Sequence, residues 1–197
     1  MPLLDLLLSG GVAVAIVGII SKYLEHRWNS KAAKPKASTT VIKTVASIYQ
    51  SMQKVLMSSN VERILILKVE NGGGKPKVGA HIYASAIMEV QKDPRITVLD
   101  NYQRLRADAG YVELLADLLT KEHVIINVSE LPDCLLKTIY KAENIKYSEV
   151  YYLHATDEAI YYCSFATSQD EQFNDAKTQL AIEVAVNHIT EILKANV

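Results

Sequence analysis

Hydrophobic residues recur with helical spacing in two long segments of the chain. Over residues 41–57 the apolar side chains follow one another at intervals of three and four residues, which predicts a helix with a narrow apolar seam. A similar spacing over roughly residues 170–195 predicts a long closing helix. Shorter stretches with the same pattern, residues 110–121 and 133–142, predict two further helices between them.

Strands are predicted where short apolar runs end at turn residues. The first such pair of runs flanks Asn71-Gly72-Gly73-Gly74-Lys75-Pro76, and the second pair flanks Thr156-Asp157-Glu158-Ala159, so both pairs are predicted to be hairpins. The predicted strands are residues 61–70, 77–90, 96–99, 123–128, 150–154 and 160–165. Hairpins alternating with helices predict an α+β domain over residues 41–197, with an antiparallel sheet of five to six strands and helices on one face.

The first 24 residues differ from the rest in being almost uncharged. Sixteen uncharged residues separate Asp5 from Lys22, and flanking apolar residues can extend this run to the length needed to cross a bilayer. Residues 1–24 are therefore predicted to form one transmembrane helix. Its anchoring residues would be Val12, Ile16, Ile19, Ile20 and the snorkelling Lys22.

Two alternatives to a membrane anchor remain open. A cleaved signal peptide would start with basic residues, and none precedes Lys22. A helix buried among partner subunits, without lipid, would show the same apolar pattern.

A basic linker, residues 25–40, follows the apolar segment. Positive residues flanking a span stay on the cytoplasmic side, and here they all lie after the apolar run. The chain is thus predicted to be a single-pass membrane protein with its N-terminus outside and its folded domain in the cytoplasm, in contact with membrane lipid.

Overall charge and motif content exclude several classes of function. The net charge is −1, so no nucleic-acid partner is expected. The five histidines show no metal-ligand spacing, and neither a Gly-x-Ser-x-Gly turn nor a phosphate-binding Gly-x4-Gly-Lys-Ser/Thr loop occurs. We therefore expect no catalytic site and no metal.

The order of elements over residues 41–197 resembles a GAF domain of the GAF/PAS group. The matching pieces are the opening helix 41–57, the hairpin at 71–76, a loosely patterned crossover at 91–110, and the closing hairpin and helix at 150–195. In that family a five- or six-stranded antiparallel sheet carries the N- and C-terminal helices on one face and a ligand pocket on the other. The resemblance implies this GAF/PAS-like architecture and a sensing or docking role here.

Motifs of the ligand-binding GAF subtypes do not match. Phe165 precedes Asp170-Glu171 with four intervening residues instead of the three of the cyclic-nucleotide motif, and neither Cys134 nor Cys163 precedes the histidine typical of bilin attachment. No cofactor is therefore expected. The pocket candidates are Tyr83, Tyr102, Arg104, Tyr152 and Tyr162. Ordinary core packing of these tyrosines is the alternative.

Self-association is the expected mode of action, because nothing downstream of the domain could carry an output enzyme. The seams of the two terminal helices are predicted to pair with a second copy, and an unidentified protein partner or small-molecule ligand remains open. The predicted oligomerisation residues are Val41, Val45, Ile48, Met52, Ile182, Val186, Ile189 and Leu193. A runner-up hypothesis is a phage membrane protein, holin-like or virion-associated, with one transmembrane helix and a soluble α/β domain.

The topology can be tested with a reporter enzyme that is active only in the cytoplasm. Fused after Val197, it is expected to be active, and deletion of residues 1–24 is expected to release the chain from the membrane fraction. A reporter that is active only outside the cytoplasm serves as the matched control. Activity of that second reporter alone would contradict the predicted orientation.

Overall fold

The structure, a computed structural model, describes residues 39–71, 77–170 and 173–196. The chain divides into two units, Met1–Ala46 and Ser47–Val197. The described part of the first unit, residues 39–46, is helical, and its Val41 and Val45 are exposed. The predicted anchor residues Val12, Ile16, Ile19, Ile20 and Lys22, and most of the basic linker, lie outside the described residues.

A six-stranded antiparallel sheet forms the centre of the second unit, which confirms the predicted sheet. Its spatial order is β3-β2-β1-β6-β5-β4, so the first and last hairpins meet along β1 and β6. The strands are β1 (Arg63–Glu70), β2 (Tyr83–Gln91), β3 (Leu105–Arg106), β4 (His123–Asn127), β5 (Tyr147–Ala155) and β6 (Ile160–Thr167).

Four helices cover the sheet. They are α1 (residues 39–58), α2 (Ala109–Lys121), α3 (Leu135–Ala142) and α4 (Ala176–Asn196). Asp108 joins the starts of two of them: its carboxylate accepts the N–H of Tyr111 in α2 at 2.9 Å and the N–H of Leu135 at the start of α3 at 2.6 Å. One side chain thereby satisfies free amides of both helices, which fixes their N-termini together.

Strand β1 is buried on both faces because the helices lie on both sides of the sheet. Ile64 and Ile66 pack in the core beneath α1 and α4, and the alternate residues Leu65 and Leu67 pack beneath α2 and α3. The predicted placement of the terminal helices on one face is therefore confirmed. The middle helices α2 and α3 fill the other face, where the sequence predicted only connections.

The apolar seam of α4, and that of α1 from Ser47 onward, faces the sheet, which corrects the predicted role of these residues in self-association. Val41 and Val45 are exposed, and their part in self-association stays a prediction. Five of the predicted side chains are buried, at most 7 % exposed: Ile48, Met52, Ile182, Ile189 and Leu193. Val186 is partly buried against the same core. A period of 3.6 residues marks the buried face of a helix but does not identify what covers it. These side chains are covered by their own sheet and are not available to a second chain.

The crossover between β2 and α2 also differs from the prediction. Residues 96–98 form no strand, and a short 3₁₀ helix, Leu99–Tyr102, follows them before β3. The carboxylate of Glu89 in β2 accepts the N–H groups of Val98 at 2.9 Å and Leu99 at 3.1 Å. Burial alone would raise the pKa of Glu89, but these bonds and one from Thr97 outweigh it and lower the pKa.

Among residues 39–71, 77–170 and 173–196, no helix is both long enough and apolar enough to cross a bilayer.

Candidate functional site

Two of the predicted pocket residues lie in the core between the sheet and the helices α2 and α3. Tyr102 is 1 % exposed and Tyr162 is 3 % exposed. Their rings pack with Tyr111, Leu118 and Tyr140 in one apolar cluster. These tyrosines therefore contact other side chains of the domain instead of lining an open cavity.

A buried ion pair lies at the centre of this face. The Arg63 guanidinium donates through Nη1 to Glu143 Oε2 and through Nη2 to Tyr102 Oη at 3.0 Å. Tyr102 Oη in turn donates to Glu143 Oε2 at 2.7 Å, and Asn101 Nδ2 donates to Oε1 at 3.1 Å. The guanidinium carbon also lies 5.9 Å from the ring centroid of Tyr140, within cation–π range. β1, the 3₁₀ helix and the end of α3 are thus joined by one charged network.

Charge and burial act in opposite directions on Arg63. Burial alone would lower its pKa, but the oxygens of Tyr102 and Glu143 raise it. Burial is also the main cause that raises the pKa of Tyr102, and the positive charge of Arg63 offsets this only in part. The arginine therefore stays charged and the tyrosine stays protonated.

Hydroxyl groups continue the polar contacts across this side of the sheet. Tyr111 and Tyr162 share a short hydrogen bond. Ser148 and Ser164 lie 2.9 Å apart on neighbouring strands, each 3.3 Å from Tyr140 Oη. Burial raises the pKa of both Tyr111 and Tyr162. These hydroxyl groups therefore hydrogen-bond to one another within the core.

The other pocket candidates lie apart from this network. Arg104 and Tyr83 meet at the β2–β3 edge of the sheet, where the guanidinium carbon is 5.4 Å from the tyrosine ring centroid. Arg104 has a left-handed backbone with φ of 51° and is exposed. Tyr152 in β5 is half-buried opposite Tyr162 of β6, at the border of the apolar cluster. The five predicted residues therefore do not form one site.

Sequence reasoning missed both members of the ion pair. Arg63 follows Glu62 and directly precedes the apolar run Ile64–Leu67, and a charged residue in a buried strand is the one available signal. Glu143 lies 80 positions away in a turn, so nothing in the spacing links the two.

An open groove lies on the opposite side of the molecule, between α1 from Ser47 onward and α4. It has a volume of about 500 Å³ and a largely apolar floor with lysines at one end. Leu180 and Val184 on its α4 side are 61 % and 60 % exposed. The lining residues are Ser47, Gln50, Ser51, Lys54, Val55, Ser58, Lys177, Leu180, Ala181, Val184, Ala185 and His188.

The position of α4 is set by a second buried carboxylate. Glu149 in β5 is 1 % exposed and accepts hydrogen bonds from Gln179 Nε2 and Tyr151 Oη, both at 2.9 Å. Gln179 Nε2 also donates to the carbonyl of Phe173 at 2.7 Å. Burial, and then the charge of Glu149, raise the pKa of Tyr151. The first turn of α4 is therefore tied to the sheet, and its outer face is presented in a fixed orientation.

Metal ligation and thiol chemistry find little support in the described ranges. Within them, no group of three or more His, Cys, Asp or Glu side chains could hold a metal ion. Burial raises the pKa of the Cys163 thiol, which keeps it protonated and unreactive. The groove between α1 and α4 is therefore the stronger candidate for a functional surface.

Comparison with known proteins identifies the fold. No protein-family model matches the sequence, and no curated protein sequence matches it. The chain is similar to the GAF domain of a two-component sensor histidine kinase from Bacillus halodurans, with 11 % identity, coverage of 75 % of this chain and 91 % of that one, and a TM-score of 0.54.

Two further solved structures show the same likeness. The GAF domain/HD domain protein from Geobacter sulfurreducens is 13 % identical, with 78 % and 91 % of the two chains covered and a TM-score of 0.53. A far-red cyanobacteriochrome photoreceptor is 14 % identical, with 84 % and 97 % covered and a TM-score of 0.52. At these identities the likeness establishes a GAF-like fold.

The buried ion pair predicts an asymmetric response to mutation. Glu143→Ala leaves Arg63 charged and uncompensated, so the free energy of unfolding is expected to fall by about 3–5 kcal/mol. The double variant Arg63→Met with Glu143→Leu removes both charges, and its free energy of unfolding should fall clearly less than that of Glu143→Ala. Urea unfolding in one fixed detergent concentration measures both. A loss below about 1 kcal/mol for Glu143→Ala would contradict the inferred role of the pair.

High pH is expected to destabilise the fold. Tyrosines of the unfolded chain ionise with a pKa near 10, whereas burial raises the pKa of Tyr102, Tyr111 and Tyr162 in the folded chain. The folded state keeps protons that the unfolded state releases. These tyrosines therefore make their full contribution to the free energy of unfolding below pH 10. Above pH 10 this free energy falls by about 1.4 kcal/mol per pH unit for each tyrosine.

Urea unfolding over a pH series from about 8 to 11 measures this loss. Tyr111→Phe is expected to reduce the slope above pH 10, and Tyr49→Phe, at an exposed position, serves as the control. An unchanged slope in Tyr111→Phe would contradict the assignment.

Proposed function

We propose that the chain is a non-enzymatic, GAF-like docking and sensing module that binds a protein partner along the groove between α1 and α4. One observation carries this proposal, which is the contrast between the two sides of the sheet. The side of α2 and α3 is filled by the Arg63 network, whereas the groove is open and Leu180 and Val184 are exposed in it. Adjacent exposed aliphatic side chains beside a groove are typical of a protein interaction site.

A small-molecule ligand is less well supported than a protein. A ligand inserted among the buried tyrosines between the sheet and α3 would disturb the ion pair of Arg63 and Glu143, and separating the pair would leave a buried charge without a partner. The groove between α1 and α4, in contrast, has an apolar floor and needs no rearrangement to receive the apolar face of a helix.

The proposed module acts beside a membrane. Support for this comes from the sequence of residues 1–24 and from the basic residues that follow it. A domain held at the bilayer surface meets its partners at a raised effective concentration, so even a modest groove can serve as a docking site.

Site-specific photo-crosslinking tests the docking proposal. A photo-reactive amino acid at position 184 of the full chain, expressed in its native host, is expected to give one discrete protein adduct upon illumination. Combining it with Leu180→Asp is expected to abolish the adduct, because a carboxylate is costly to bury in an apolar contact.

Position 112 provides the matched control, since Val112 is also an exposed aliphatic residue but lies on α2. It should give no such adduct. If position 184 gives no adduct either, or one that Leu180→Asp leaves unchanged, the docking proposal fails.

A further inference from the structure

The outer face of α4 carries a stripe of residues that repeats every three or four positions. Lys177, Leu180, Val184, His188 and Glu191 all point away from the buried face of this helix. The two aliphatic members, Leu180 and Val184, are more than half exposed. The stripe therefore has an apolar centre with one positive and one negative end.

The two charged residues of this stripe lie at equal distances from Val184 and carry opposite charges. Lys177 lies seven residues before it and Glu191 seven residues after it, which is about 10.5 Å along the axis in each direction. When two such helices run antiparallel about Val184, each Lys177 faces Glu191 of the other copy. In a parallel pair, lysine would face lysine and glutamate would face glutamate, which is unfavourable.

We infer that the partner bound at the groove between α1 and α4 is a second copy of this chain, with the two α4 helices packed antiparallel about Val184. This inference rests on the docking function proposed above and adds the identity and orientation of the partner. The contact is isologous, so each copy contributes the same stripe and the assembly closes as a dimer.

Other charges near the stripe agree with this arrangement. Lys54 also lines the groove, so a second positive side chain lies on the surface that receives the acidic end of the second copy's stripe. Within its own chain Glu191 pairs with Lys194 at 3.1 Å, and both side chains are exposed. An exposed pair of this kind contributes little, so it does not prevent Glu191 from pairing across the dimer.

The centre of the contact is held in place by a fixed side chain. In the antiparallel arrangement Leu180 faces His188 of the second copy. His188 Nε2 is 2.9 Å from Ser47 Oγ in α1, and this hydrogen bond orients the imidazole ring. The ring then presents a defined surface to the leucine on each side of the twofold axis.

Charge reversal on the purified full chain tests the inference. Wild type is expected to be dimeric by sedimentation equilibrium in detergent, and K177E and E191K are each expected to raise the dissociation constant by about tenfold, because each places like charges together twice. The double variant K177E/E191K restores opposite charges and should return to within about threefold of wild type.

K141E is the matched control, because Lys141 is exposed on α3, on the other side of the sheet, and it should leave the dissociation constant unchanged. A wild-type dimer that K177E leaves intact, or that the double variant does not restore, overturns the inference. If the chain is monomeric and the adduct at position 184 has another mass, the inference is overturned while the docking proposal stands.

Disulfide trapping gives an independent measure of orientation. In a Cys134→Ser background, Leu180→Cys combined with His188→Cys is expected to give a covalent dimer, since these positions face each other across the axis. Within one chain they lie about 12 Å apart, too far to be bridged. A covalent dimer from Leu180→Cys alone would indicate parallel helices and would overturn the inference.

Discussion

The burial of β1 on both of its faces is the constraint on which the rest of the domain depends. Ile64 and Ile66 point to one side and Leu65 and Leu67 to the other, and all four are at most 2 % exposed. Removing each such side chain from water contributes about 1.5–3 kcal/mol, so both faces require a covering layer. The terminal helices provide one layer and the middle helices provide the other, so the buried face of each of these helices is used within the chain.

The same constraint makes the two sides of the sheet different from each other. The side of α2 and α3 holds a charged group, Arg63, that must be neutralised where it is buried, and Glu143 and Tyr102 do so. This leaves the side of α1 and α4 as the one with exposed apolar side chains in a groove. In this chain a GAF-like fold therefore combines a filled core under α2 and α3 with an open groove beside α4.

Much of this architecture follows from local pattern, and the exceptions have physical causes. Helical periodicity and turn chemistry locate the four helices and both hairpins, because these signals depend on nearby residues. The crossover was predicted as a strand at 96–99, but its conformation depends on Glu89, a neighbour in space whose contact leaves no trace in the local pattern. Seam residues such as Met52 were predicted to contact a second copy and instead pack against the sheet, because periodicity cannot tell an intrachain cover from a second copy. The tyrosine candidates failed as one site for the same reason, since alternation gives the face of a strand but not what fills the space above it.

The ion pair also shapes how this chain can diverge. A guanidinium does not lose its proton at physiological pH, so a lineage that loses Glu143 first passes through an intermediate with an unsatisfied buried cation. Replacement of both residues by apolar ones avoids that intermediate but needs two simultaneous changes. Among descendants of this chain, positions 63 and 143 should therefore vary together. That covariation would link the first strand with the end of the third helix.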